Sequence, residues 1–210
     1  MDERRLGRRS GSPGRWLRSL GLALVCAGLF GAAPGRAAEI EGVPFRERIA
    51  PAGTELELHG VGLFRYRTIF RAYVAGLYLP ADVPSDEVLS DVPKRLELSY
   101  FWAIDGEDFG RAADRLLERQ LTPEQLAPLR ARLDELHRAY RSIEPGHRYA
   151  ITYTPGIGTE LAHNGEPIAL IPGADFAEAY FGIWLGETAP LDAGLRARLL
   201  GGAGTGRSDT

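Results

Sequence analysis

Residues 54–80 alternate apolar and polar side chains and then pass, through Gly60 and Gly62, into a long β-branched and aromatic run. Leu56 and Leu58 fall on one face of an extended chain and Glu55, Glu57 and His59 on the other, the two-residue period of a half-buried strand. The two glycines are expected to interrupt it. Beyond them Arg65, Arg67, Ile69, Arg71 and Tyr73 share one parity, and Phe64, Tyr66, Thr68, Phe70 and Ala72 the other. In an unbroken strand three guanidinium groups and a phenol would therefore share a face, whereas a bulge or turn near Thr68 would divide them.

The same alternation predicts strands over 42–49, 94–102, 147–153, 159–163 and 166–171, with Asn164-Gly165 as a two-residue hairpin turn. Within 94–102, Leu96, Leu98, Tyr100 and Trp102 face one way and Arg95, Glu97 and Ser99 the other; Trp102 and Trp184 are expected in the core. Helical spacing takes over between these strands. Phe109, Ala112, Ala113, Leu116 and Leu117 form one apolar stripe after a cap at Asp105 or Asp108. Thr122-Pro123-Glu124-Gln125 is a capping box, followed by the stripe Leu126, Leu129, Leu133, Leu136 and Tyr140. The arginines of both helices, among them Arg111, Arg115 and Arg119, read as solvated surface. Residues 174–185 and 191–200 complete the helices. Strands, helices, strands and helices joined by hairpins predict an α+β fold, an antiparallel sheet with helices gathered on one face.

The N-terminus changes this picture by what it removes. Arg4, Arg5, Arg8, Arg9, Arg15 and Arg18 precede an apolar stretch from Leu20 to Ala33 and the small residues around Ala37-Ala38, the layout of a signal peptide over residues 1–38. Its apolar stretch is short for a bilayer span, so a periplasmic or secreted domain over 39–201 is expected, with a Gly-rich disordered tail at 202–210. Residues 1–37 hold seven of the 25 basic and two of the 28 acidic side chains, so the remainder carries 18 against 26, a net charge of −8. Such a chain is unsuited to nucleic acid. Cys26 is the only cysteine, and His59, His137, His147 and His163 show no ligand spacing, so neither disulfide nor metal nor cofactor is expected.

Two segments carry a family resemblance: Gly60-Val61-Gly62-Leu63-Phe64-Arg65 with Phe70-Arg71-Ala72-Tyr73-Val74-Ala75-Gly76-Leu77-Tyr78-Leu79-Pro80, and Phe181-Gly182-Ile183-Trp184-Leu185-Gly186. Together they resemble the chalcone isomerase-like family, in particular its secreted bacterial branch. The resemblance implies an open-faced β-sandwich, a large antiparallel sheet covered by a layer of helices, with the ligand cleft between them. It also implies five positions at which an isomerase acts on its substrate. The arginine matches Arg65, but the others fall on Tyr73, Phe109, Leu116 and Ile183, which replace a threonine, a tyrosine, an asparagine and a threonine.

An arginine and a tyrosine beside an apolar cleft resemble the carboxylate site of the family's fatty-acid-binding branch. A guanidinium offers a planar fork to a carboxylate, a phenol adds a donor, and an apolar pocket takes the chain. The expected function is thus binding of a fatty acid or similar amphipathic carboxylate by Arg65 and Tyr73, with Arg67 and Arg71 as second choices and Phe109 in the wall. The alternatives are an isomerase or intramolecular lyase on a phenolic or enone substrate, using Tyr66, Tyr73 or His59, and an envelope interaction module. In the last, the three arginines are merely a solvated strand face.

Overall fold

The computed structural model describes residues 38–67 and 69–201; the expected export segment up to residue 37, Thr68 and the tail from 202 lie outside them. Strands β1 (Ala38–Ile40) and β2 (Val43–Phe45) form a small hairpin of their own. Strands β3 (Arg48–Ile49), β4 (Leu56–Tyr66), β5 (Phe70–Leu79), β6 (Lys94–Tyr100), β7 (Arg148–Thr154), β8 (Gly158–His163) and β9 (Glu166–Ile171) make one antiparallel sheet in chain order. Helices α1 (Gly106–Gln120), α2 (Pro123–Leu126) and α3 (Arg130–Ala139) occupy the excursion between β6 and β7. Helices α4 (Ala174–Leu185) and α5 (Ala193–Leu200) follow β9.

Local chemistry accounts for most of these boundaries. The Thr122 capping box forms as its sequence predicts, with Thr122 N donating to Gln125 Oε1 at 2.8 Å. The helix it opens is not continuous to Tyr140, because Pro128, which has no backbone N–H, sits in a 3₁₀ turn over Ala127–Leu129 that separates α2 from α3. Asn164 and Gly165 both take positive φ, 50° and 86°, as a two-residue hairpin turn requires. The segment expected as one strand over 42–49 is divided between β2 and β3.

The sheet has two covered faces, which is why β5 reads as a near-continuous apolar run instead of an alternation. Tyr73, Ala75, Leu77 and Leu79 pack inward among the helices, while Val74 and Tyr78 pack outward with Phe45 and Leu56 beneath the β1–β2 hairpin. Helix α4 is the centre of the inner layer: Phe176, Tyr180, Phe181, Ile183 and Leu185 are all buried, on more than one side of the helix.

β4 runs on through Gly60 and Gly62, although its pairing with β5 shifts register between Leu58 and Gly60. The two glycines admit α5: a Cβ at Gly60 would lie 2.4 Å from the carbonyl oxygen of Leu199, and one at Gly62 2.6 Å from a Leu195 methyl. The glycine pair thus marks where a helix lies directly against strand backbone.

Lys94, the only lysine of the chain, is completely buried at the start of β6. Its Nζ donates to Ser90 O at 2.7 Å and lies 4.7 Å from the Tyr153 ring centroid and 5.6 Å from that of Phe181. Burial draws its pKa down to about 8, opposed by the nearby charges of Asp91 and Glu178.

Candidate functional site

The β4–β5 hairpin decides which of its side chains meet the helices. Phe64 pairs with Tyr73, but the next pair is Arg65 with Arg71, so Ala72 is an extra residue on β5. This bulge resets the parity. Tyr73 turns inward with Phe64, their rings 5.0 Å apart, whereas Arg65 and Arg71 turn to Glu41 of the β1–β2 hairpin at 3.6 and 2.7 Å. Arg71 also lies 5.1 Å from the Phe101 ring centroid. Arg67 occupies the turn at φ 51°, its guanidinium 5.4 Å from the Tyr66 ring centroid.

Between the inner face of the sheet and helices α1 and α4 lies a cavity of about 890 Å³. Tyr73, Leu98, Tyr100 and Ile151 rise into it from the sheet, Phe109, Ala112 and Leu116 from α1, and Tyr180, Ile183 and Trp184 from α4. Arg65, Arg67 and Arg71 are not among its lining residues; Tyr73 and Phe109 are. Of the five positions the family resemblance singles out, the four that depart from the isomerase pattern all line the cavity, and the one that agrees, Arg65, lies on the other face of the sheet.

The interior is apolar except for phenols. The Tyr73 hydroxyl accepts from Trp184 Nε1 at 2.9 Å and so keeps its own proton to donate. Tyr140 and Tyr180 share a hydrogen bond of 2.8 Å, and the Tyr100 hydroxyl has no partner among the described residues. Phe109 stacks on Tyr140 with centroids 4.9 Å apart and meets Tyr100 and Tyr149 edge-on. Burial pushes the hydroxyls of Tyr73, Tyr100, Tyr140 and Tyr180 well above the ordinary phenol range, so all four are neutral donors at any physiological pH.

Charge enters only at the rim. Among the described residues three charged side chains line the cavity, Asp108, Arg115 and Arg119, all from α1. Asp108 is bound to Arg111 at 2.6 Å, while Arg115 and Arg119 are exposed and make no hydrogen bond or ion pair among the described residues. Arg111, Arg115 and Arg119 stand at i, i+4, i+8, a like-charge row that disfavours the helix carrying it. That row, one position away from the cavity-facing Ala112 and Leu116, was the available signal in a stretch that composition alone reads as surface. At the opening, Tyr66, Phe70 and Trp102 are more than half exposed. Trp102 leaves the expected core because β6 ends at Tyr100; its indole Nε1 donates to Arg71 O at 2.6 Å.

No histidine lines the cavity. His59, a candidate base in the sequence, lies elsewhere and is held by Ser85 Oγ at 2.9 Å and Leu200 O at 3.3 Å. Among the described residues no helix is long and apolar enough to cross a membrane.

The family described as chalcone isomerase-like matches residues 37–201. Among solved structures, a fatty-acid binding protein of Arabidopsis thaliana superposes with a TM-score of 0.61 at 16% identity, over 79% of this chain and 96% of that one. No curated protein sequence matches the chain.

Proposed function

The chain belongs to the chalcone isomerase-like family, and within it we propose that this protein binds a fatty acid or similar amphipathic carboxylate without converting it. The observation that carries the reading is the polarity of the cavity: an apolar, phenol-lined interior with two guanidinium groups at its rim that have no partner among the described residues. An acyl chain fits against Phe109, Leu116, Ile183 and Trp184, and a carboxylate at the opening meets Arg115 and Arg119. Tyr73 and Tyr100 offer neutral O–H donors further in, suited to a second oxygen on the ligand. The guanidinium role expected of Arg65 thus passes to α1, since Arg65 is already engaged by Glu41.

Ring closure of a phenolic substrate would need a positioned acid and base. Asp108 is tied to Arg111, and the phenols are held protonated by burial, so the groups present favour retention over turnover. The basic and apolar N-terminal segment supports placing this binding in the periplasm or outside the cell.

Calorimetric titration with palmitate tests the assignment. Arg115→Glu/Arg119→Glu is expected to weaken palmitate binding roughly tenfold to a hundredfold, the loss of charge-assisted hydrogen bonds, and to leave hexadecanol binding little changed. Equal palmitate affinity in both proteins, or none in either, refutes it.

A further inference from the structure

The opening of the cavity carries a surface that ligand binding alone does not require. Tyr66, Ile69, Phe70 and Trp102 are 55%, 73%, 53% and 57% exposed, four of the six large apolar side chains most open to solvent among the described residues. Tyr66 and Phe70 are paired across the hairpin, Ile69 lies in the turn between them, and Trp102 is tied to Arg71 O at 2.6 Å. Three of them also line the cavity; Ile69 does not. An apolar cluster at a hairpin tip has no use in water.

The charge beside it has a sign. Arg67 lies against the Tyr66 ring, and Arg115 and Arg119 line the same cavity as Tyr66 from α1. The acidic group of the rim, Asp108, is neutralised by Arg111, and Glu41 on the outer face is taken by Arg65 and Arg71. A chain of formal net charge −3 thus gathers cations around this apolar opening. Aromatic rings with an aliphatic tip, flanked by arginines, match the interface of an anionic phospholipid bilayer: the rings lie at headgroup depth, the aliphatic side chain enters the acyl boundary, and the guanidinium groups meet phosphates.

We infer that the β4–β5 tip docks the protein on an anionic phospholipid surface, with the cavity mouth facing the bilayer. The inference rests on the proposed binding reading for its purpose, since a long-chain acid would pass between bilayer and cavity without crossing water. It does not rest on that reading for its test.

Flotation with vesicles of phosphatidylglycerol and phosphatidylethanolamine, read together with tryptophan emission, decides it. The processed protein is expected to float with these vesicles and its emission to shift to the blue, with far weaker association on phosphatidylcholine alone. Trp102→Phe should still float but lose the shift. Ile69→Asp, at an exposed position outside the cavity, should reduce flotation by about tenfold or more while palmitate titration without vesicles is unchanged. All forms share one N-terminus, so their differences report on the tip. Absence of flotation in the unmodified protein, or equal flotation of Ile69→Asp, overturns the inference. So does a dimer in vesicle-free sedimentation that Ile69→Asp dissolves, which would assign the tip to a second copy of the chain. Failed flotation with intact palmitate titration sinks only the docking; the reverse pattern sinks only the binding reading.

Discussion

Raising the pH through about 11 to 12 is expected to unfold the protein cooperatively. Tyr73, Tyr100, Tyr140 and Tyr180 keep their protons in the folded state far above 10.0, the ordinary value at which an unfolded chain releases them. Above that value the folded state binds more protons than the unfolded one, so stability falls as pH rises. Each phenol then costs about 1.4 kcal/mol per pH unit, and four together roughly 5 to 6 kcal/mol. Two units consume about 11 kcal/mol, the whole stability of an ordinary domain.

Lys94 acts in the opposite direction just below this window. Its folded pKa of about 8 lies under its ordinary 10.5, so between these values the unfolded chain holds the extra proton and stability climbs with pH. Chemical denaturation followed by circular dichroism should show a rise from about pH 8 to 10 and a collapse beyond it, and Lys94→Met should remove the rise alone. Phenolate absorbance from more than four of the eight tyrosines by about pH 12, with the circular dichroism intact, would refute the burial of this phenol cluster.

Filling the cavity should be as decisive for binding as alkali is for stability. Ala112→Trp places an indole against the path of the acyl chain, in space that is otherwise empty, so α1 need not move to accommodate it. Palmitate affinity is expected to fall roughly a hundredfold, as buried chain contacts are lost, while octanoate binding falls less and the melting temperature holds or rises. Ala112→Trp/Leu116→Trp should shift the preferred chain shorter still. Unchanged palmitate affinity in the double variant would show that the ligand lies outside this cavity.

Most strands and helices were legible because they bury one periodic face, and β5 and α4, buried on more than one side, were legible as apolar runs. The errors occur where one residue changes that period. The extra Ala72 moves Tyr73 to the face opposite Arg71, and nothing about an alanine in an apolar run announces a bulge. Gly60 and Gly62 read as an interruption because the helix that needs their missing side chains lies far along the sequence. Trp102 shares the parity of Leu98 and Tyr100, yet the strand ends before it. Pro128 did signal its break, but the leucine stripe on either side obscured it. The cleft wall was legible in kind, since Tyr73, Phe109, Leu116 and Ile183 all line it. The guanidinium groups were not, because Arg115 and Arg119 are exposed, and exposure is the ordinary state of an arginine on a helix.

Lys94 is the sole side-chain amine of this protein, whose other permanent cations are all arginines, and it lies against two aromatic rings. Amine-directed reagents therefore find no exposed side-chain amine among the described residues of the folded molecule. An acyl group on the Lys94 amine marks a molecule that has opened its interior, so the native sequence already contains a chemical recorder of its own unfolding.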